Sequence, residues 1–158
     1  MTNATNLCST SFAPAGVDPS TFPAVYAATC TGHCMEPLIQ DGTCMAFTRC
    51  GTPEPGEFVA IWFRPEHTPS DGLPQQLKRL AMPLMEGLTF PYAPVSPAEC
   101  VPLVVVEMVN PPRRWAIPAT HIRALHRCLG PVKFSAEGRT MIEVAKLPPE
   151  ARAFASRQ

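Results

Sequence analysis

The sequence predicts a mostly β fold in which short strands are joined by proline-rich loops. The chain has 158 residues and 46% hydrophobic content, enough for one domain with its own core. Its 20 prolines are scattered from Pro14 to Pro149. Each proline removes an amide donor and interrupts helices or central strands. Long helices do not fit between them, whereas short β-branched and aromatic segments do.

Five segments are interpreted as the strand-bearing parts of this domain. In chain order they are 43–48, Phe58–Phe63, 76–82, Leu103–Val109 and 115–134, the last holding two short strands broken by Pro118 and by Gly130-Pro131. The segment Phe58–Phe63 is apolar on both faces, which is typical of a central strand.

The distribution of these segments predicts three regions. Residues 1–31 are rich in Thr, Ser, Ala and Pro without helical periodicity, and we interpret them as a flexible N-terminal arm. Residues 32–146 form the predicted domain, and residues 147–158 form a C-terminal tail with a short helix over 150–155.

The charge content argues against nucleic acid binding, and the length of the apolar stretches argues against membrane attachment. There are 13 basic and 13 acidic side chains, for a formal net charge of +0. No stripe of Lys and Arg is present to neutralise phosphates, so we expect no direct nucleic acid binding. The longest apolar stretch, 101–109, contains Glu107 and is too short to span a bilayer, so we expect no membrane attachment.

The cysteines indicate a reducing compartment. Their number is odd and they show no pairing pattern: Cys8, Cys30, Cys34, Cys44, Cys50, Cys100 and Cys128. The N-terminal residues are polar and lack the apolar run of a secretory signal. We therefore expect reduced thiols and a cytoplasmic location.

The same cysteines raise the alternative of a zinc site. Cys30, His33 and Cys34 are close in sequence, and zinc binds such nitrogen and sulfur ligands. No Cys-x-x-Cys pair is present, so the prediction is no metal and no cofactor. His121 and His126 are too poorly spaced to share a face and are predicted to be surface or interface residues.

Three motifs occur in an order that suggests a family. The first is Gly32-His33-Cys34-Met35-Glu36-Pro37, followed by Ile39 and Asp41-Gly42; the second is Pro55-Gly56-Glu57-Phe58-Val59; the third is Leu77-Lys78-Arg79-Leu80. Together they resemble the peptidase domain of the LexA, UmuD and phage-repressor family of self-cleaving proteins. The resemblance covers residues 32–132 and implies a β-clip-type fold with a Ser/Lys dyad.

In this sequence the resemblance places Cys34 at the position of the nucleophilic serine and Lys78 at that of the lysine. A thiol or hydroxyl is a poor nucleophile until a base takes its proton. A lysine can be that base when desolvation keeps its amine neutral. Strand alternation is expected to direct Lys78 into a cleft and Arg79 toward solvent.

Further site residues follow from the resemblance. The backbone N–H groups of Cys34 and its neighbour His33 are expected to form the oxyanion hole. Family members cut themselves at an Ala-Gly or Cys-Gly bond before the nucleophile, which makes Ala15-Gly16 the candidate cleavage bond. Roughly 18 extended residues span up to ~60 Å, so this bond can reach the site.

The resulting hypothesis is a LexA/UmuD-like self-processing domain in a bacterial or phage SOS-type response. The resemblance implies a homodimer, with a RecA filament or a regulatory protein as a further partner. The apolar run 101–109 is a candidate for the dimer contact. Two alternatives remain open: a catalytically inactive dimerisation or interaction module of the same fold, and a protease that acts on other chains.

Overall fold

The computed structural model describes residues 9–10, 18–70, 72–134, 136–137 and 140–141. Within these ranges it contains ten strands and three short 3-10 helices. The strands are β1 (Ser9–Thr10), β2 (Val25–Thr31), β3 (Cys44–Thr48), β4 (Phe58–Phe63), β5 (Gln75–Leu80), β6 (Leu103–Val109), β7 (Pro112–Pro118), β8 (Ile122–Pro131), β9 (Lys133–Phe134) and β10 (Thr140–Met141). The 3-10 helices are Pro19–Thr21, Pro65–His67 and Ala119–His121.

One antiparallel sheet contains most of the strands. Its order is β2-β3-β8-β4-β5-β6-β7. The short β1 pairs with the outer edge of β2 and also lies beside β5. Strands β9 and β10 pair separately. The prediction of a mostly β protein is therefore confirmed.

The predicted central strand, Phe58–Phe63, is a central strand of the sheet. It lies between β8 and β5, and every residue after Phe58 is buried. Alternation along β4 directs Val59 and Ile61 to one face and Ala60 to the other, where they enter different core clusters. Burial on both faces explains why this segment is apolar throughout.

Residues 25–31, which the sequence assigned to the N-terminal arm, form β2. This strand pairs with β3 from Val25 to Thr29, and Ala28 and Cys30 are buried. The sequence signal was weak because Ala27 and Ala28 have little preference for strands, so pairing with β3 decides their conformation. The tail 147–158 and its predicted helix lie outside the described residues.

Two clusters of buried side chains form most of the core. The Cys34 cluster contains residues from the turn after β2 and from the sheet: Ala28, Cys30, Cys34, Met35, Ile39, Met45, Phe47, Ala60, Leu77 and Met108. The second cluster lies on the other face of β4: Val59, Ile61, Phe63, Leu80, Val104, Val106, Ile117 and Ile122. The first cluster is the one that surrounds the candidate site.

His126 is buried in an aromatic group, contrary to the prediction of a surface or interface residue. A hydrogen bond of 2.6 Å joins its Nδ1 to the hydroxyl of Tyr26, and the rings of Phe22 and Trp62 lie beside it. Burial lowers the pKa of His126 to about 4, and the positive charge of Arg49 acts in the same direction. A neutral imidazole is thus part of the folded structure.

This histidine predicts a loss of stability in mild acid. The pKa of His126 is near 6.5 in the unfolded chain and about 4 in the folded chain. Between these pH values His126 binds a proton only in the unfolded chain. The free energy of unfolding should fall by up to about 3 kcal/mol as the pH drops through this window. Urea unfolding at a series of pH values measures the effect.

His126→Asn is the matched control, because an amide can donate to or accept from the Tyr26 hydroxyl near the position of Nδ1 and does not titrate. The difference between the two pH profiles isolates His126 from the carboxylates. Parallel profiles would show that another group causes the acid sensitivity.

Candidate active site

Cys34 lies in a tight turn between β2 and β3. Gly32 opens the turn with φ +99°, a left-handed conformation that glycine adopts without strain, and its N–H donates to the Asp41 carboxylate at 2.9 Å. The turn is closed by a hydrogen bond of 2.8 Å from the Gly42 N–H to the Cys30 carbonyl. These contacts explain why Gly32 and Asp41-Gly42 accompany Cys34 in the sequence.

A second set of hydrogen bonds ties this turn to the connection between β6 and β7. The N–H groups of Val109 and Asn110 donate to the Cys34 carbonyl at 2.9 and 2.8 Å. The side-chain amide of Asn110 donates to the carbonyl of His33 at 3.3 Å. The backbone of Cys34 is therefore held from a segment far along the chain.

Lys78 reaches Cys34 from β5. Its Nζ donates to the Cys34 Sγ at 3.5 Å, and the two residues are 0% and 2% exposed. Lys78 pairs with Val59 on β4, and its neighbour Leu77 is fully buried. The structure thus brings together two residues that are 44 positions apart.

An aromatic ring lies close to the amine. The Nζ of Lys78 is 5.8 Å from the centroid of the Trp115 ring, within the range of a cation–π contact. Trp115 is partly buried and packs against both core clusters, and the guanidinium of Arg113 lies 5.4 Å from the same ring. This ring favours the ammonium form of Lys78, which burial disfavours.

Arg79 has a different environment from Lys78, in line with strand alternation. Its Nε donates to Glu107 at 2.8 Å, and Arg114 donates to the same carboxylate at 3.1 Å. Burial alone would raise the pKa of Glu107, but the hydrogen bonds from Arg114 and Arg79 hold it below its usual value. Arg79 is therefore paired with a carboxylate and, unlike Lys78, takes no part in the contact with Cys34.

His33 does not take part through its side chain. The ring is exposed, and its Nδ1 lies 2.9 Å from Glu36, whose hydrogen bond raises the pKa of His33. The predicted contribution of His33 and Cys34 to an oxyanion hole concerns their backbone N–H groups and stays a prediction. So does the catalytic role of Cys34 and Lys78.

The candidate cleavage bond, Ala15-Gly16, lies outside the described residues. The structure describes the chain on either side of it: β1, where Ser9 pairs with Thr31 and Thr10 with Cys30, and the 3-10 helix Pro19–Thr21. Because β1 also lies beside β5, the N-terminal segment passes next to the strand that carries Lys78.

Over the ranges that the structure covers, no group of three or more His, Cys, Asp or Glu side chains lies close enough to hold a metal ion. The six cysteines there are all free thiols. His121, predicted to lie at a surface or interface, is half-buried and stacks on His67 with ring centroids 3.8 Å apart.

Comparisons of the chain with protein-family models, with curated proteins and with solved structures found no match. Among the described residues no helix has the length and apolar character needed to cross a membrane.

Two contributors to the site were missed in the sequence. Neither Asn110 nor Trp115 was predicted as a residue of the site. Neither lies in a motif with Cys34 or Lys78, and both reach the site through the pairing of β6 with β7. No local sequence signal connects either residue with Cys34 or Lys78.

The burial of Lys78 predicts opposite outcomes for two substitutions. Lys78→Met should leave the free energy of unfolding unchanged or raise it, because a linear side chain then fills the same space without a buried amino group. Lys78→Ala should lower it by about 2–5 kcal/mol because a cavity remains. Urea unfolding of both variants tests this.

Lys133→Met is the control, since Lys133 is exposed, and it should change stability by no more than about 0.5 kcal/mol. A Met variant at position 78 as unstable as the Ala variant would mean that the amine itself stabilises the fold.

Proposed function

We propose that the chain is a LexA/UmuD-like self-processing peptidase domain that cuts its own N-terminal segment with a Cys34/Lys78 dyad. The observation that carries the proposal is the 3.5 Å contact between a buried thiol and a buried amine. Ion pairs of lysine usually lie at the surface, and a lysine amine inside a domain is rare unless it is paired. Placing it against a cysteine gives the pair a chemical use.

The chemistry proceeds in two steps. Lys78 takes the proton of Cys34, and the thiolate attacks the carbonyl carbon of the peptide bond. As the C–N bond breaks, the Lys78 ammonium gives its proton to the departing amine, and a thioester on Cys34 remains. The neutral amine then deprotonates a water molecule, which attacks the thioester, and the C–S bond breaks to release the thiolate.

The position of β1 supports a substrate within the same chain. A peptide that adds a strand to a sheet edge is held by main-chain hydrogen bonds in an extended conformation, which is how proteases commonly bind peptides. Strand β1 makes such a pairing with β2 while lying beside β5. The proposal includes a cytoplasmic, SOS-type regulatory role, which the resemblance implies.

The register of β1 bears on the bond that is cut. Its first residue, Ser9, pairs with Thr31, at the end of β2 that leads into the Cys34 turn, while Thr10 pairs one residue further from that turn. A peptide that continued this register toward Cys34 would present the bonds near or before Ser9 to the thiol. The other candidate is the bond Ala15-Gly16, which lies outside the described residues.

A second candidate function is an inactive interaction module of the same fold. The observation that favours it is the sulfur at position 34, which is larger than the serine oxygen of the family. A homodimer remains part of both proposals, as does a RecA filament or regulatory protein as partner. In the apolar run 101–109, the candidate for the dimer contact, the side chains of Val104, Val106 and Met108 are buried in the core. Val101 and Leu103 are exposed and could contact a second chain.

Self-cleavage is the direct test. Incubation of the full chain at mildly alkaline pH should yield two fragments by intact mass, and Cys34→Ala should abolish them. Lys78→Met should slow cleavage by about 10²–10⁴-fold, the usual contribution of a general acid–base group. The fragment masses distinguish a bond near Ser9 from Ala15-Gly16.

Cys100→Ala and Lys133→Met are the matched controls, because both residues are exposed. Each should cleave at the wild-type rate. An unchanged mass of the wild-type chain, alone and with a RecA filament added, would replace the proposal with the interaction module.

Thiol reactivity separates an intact dyad from a vestigial one. The ammonium of Lys78 stabilises the Cys34 thiolate, so Lys78→Met should slow alkylation of Cys34 by iodoacetamide at neutral pH by about tenfold or more. Peptide mapping reports the rate at each cysteine, and Cys100 serves as an internal reference whose rate should not change. Equal Cys34 rates in the two proteins would contradict a working dyad.

A further inference from the structure

The dyad has a feature that peptide hydrolysis does not require. Once an acyl group is bound to Cys34, a primary amine lies beside the thioester, since Nζ and Sγ are 3.5 Å apart. The proposed mechanism uses this amine only to move protons. An amine is also a nucleophile, and lysine forms covalent bonds to carbonyl carbons when it is neutral.

Two properties of the site favour attack by the amine on an acyl group held by Cys34. Holding two reacting groups in contact corresponds to an effective concentration of up to ~10⁵–10⁸ M. The product amide also removes an ionisable group from an apolar environment, where a charge is costly.

The sulfur atom of Cys34 also favours transfer of the acyl group to the amine. Displacing Cys34 from a thioester releases a thiolate, whose conjugate acid has a pKa of about 8.5 in a free cysteine. The alkoxide that a serine ester would release is a much stronger base and a poorer leaving group. The substitution of cysteine for serine thus makes transfer to a neighbouring amine easier than it is in a Ser/Lys site.

We propose that Lys78 is an acyl acceptor: an acyl group taken up by Cys34 from an activated ester or thioester passes to the Nζ of Lys78. In the first step Lys78 takes the proton of Cys34, Sγ attacks the carbonyl carbon of the donor, and the alkoxide or thiolate of the donor leaves with that proton, so that Nζ is neutral again. In the second step Nζ attacks the same carbon, the C–S bond breaks, the proton of the amine passes to the thiolate, and an N-acyl-lysine remains. No oxidant or metal is needed.

This inference rests on the nucleophilic role proposed for Cys34, but it does not require self-cleavage. Its consequence for the site is inactivation, because an acylated Lys78 can neither accept nor donate the proton of the dyad. The site would therefore take one acyl group per chain and stop. Small acyl groups fit this role best, because a close-packed core tolerates little added volume.

The test uses the full chain and p-nitrophenyl acetate, a small activated ester, at neutral and mildly alkaline pH. Peptide mapping by mass spectrometry locates the acetyl group, and hydroxylamine removes it from a thioester but not from an amide. The expected result is a transient, hydroxylamine-sensitive acetyl group on Cys34 and a stable one on Lys78. Acetylation of Lys78 should exceed that of exposed Lys133 by about tenfold or more, as expected for reaction within a preformed contact.

Three variants separate the steps. Cys34→Ala should reduce acetylation of Lys78 to the level of Lys133, Lys78→Met should leave a hydroxylamine-sensitive acetyl group on Cys34, and Cys34→Ser should retain an ester at position 34. Wild-type acetylation of Lys78 in the Cys34→Ala variant would overturn the transfer, because the donor would then be reacting with the lysine directly.

The outcomes also distinguish this inference from the proposed function. An acetyl group that stays on Cys34 would overturn the transfer and leave the nucleophile intact. Acetylation of neither residue would overturn both proposals. Transfer to Lys78 in a chain that never cleaves itself would support the inference and contradict self-processing.

Discussion

The amino group of Lys78 lies in the interior of the protein, and much of the surrounding structure is arranged around it. An amine there must be neutral or must face a partner, because an unpaired charge in an apolar environment costs several kcal/mol or more. The Sγ of Cys34 at 3.5 Å and the ring of Trp115 at 5.8 Å provide the contacts described for it. Moving either one would change the free energy of the charged form and, with it, the protonation of the dyad.

The contact between Cys34 and Lys78 depends on the register of the sheet as a whole. Lys78 is fixed by its pairing with Val59, whereas Cys34 is fixed through its carbonyl by the N–H groups of Val109 and Asn110. The two sides of the site therefore belong to different parts of the sheet. A shift of one residue in the pairing of β5 would turn Lys78 to the opposite face, so register and chemistry cannot be separated.

Local patterns predicted the strands that are most apolar, and long-range contacts account for what they missed. Phe58–Phe63 and Leu103–Val109 were predicted with their observed bounds, because alternating or continuous apolar residues specify them directly. The strand Val25–Thr31 was missed, since its alanines have little preference of their own. The approach of Cys34 to Lys78 spans 44 positions and was anticipated only from the resemblance of three motifs, whereas the contributions of Asn110 and Trp115 had no local signal.

The two-residue strand β1 is an edge strand of the sheet that cleavage of the chain could detach. Its partners Thr31 and Cys30 lie on the outer edge of β2, and β1 lies between that edge and β5. A cut on the C-terminal side of β1, as at Ala15-Gly16, would detach this strand and leave main-chain groups of β2 without their present neighbours, at an edge that another extended chain can join. A single cut in the chain would then replace hydrogen bonds within one molecule by an exposed strand edge that can form hydrogen bonds with a second molecule.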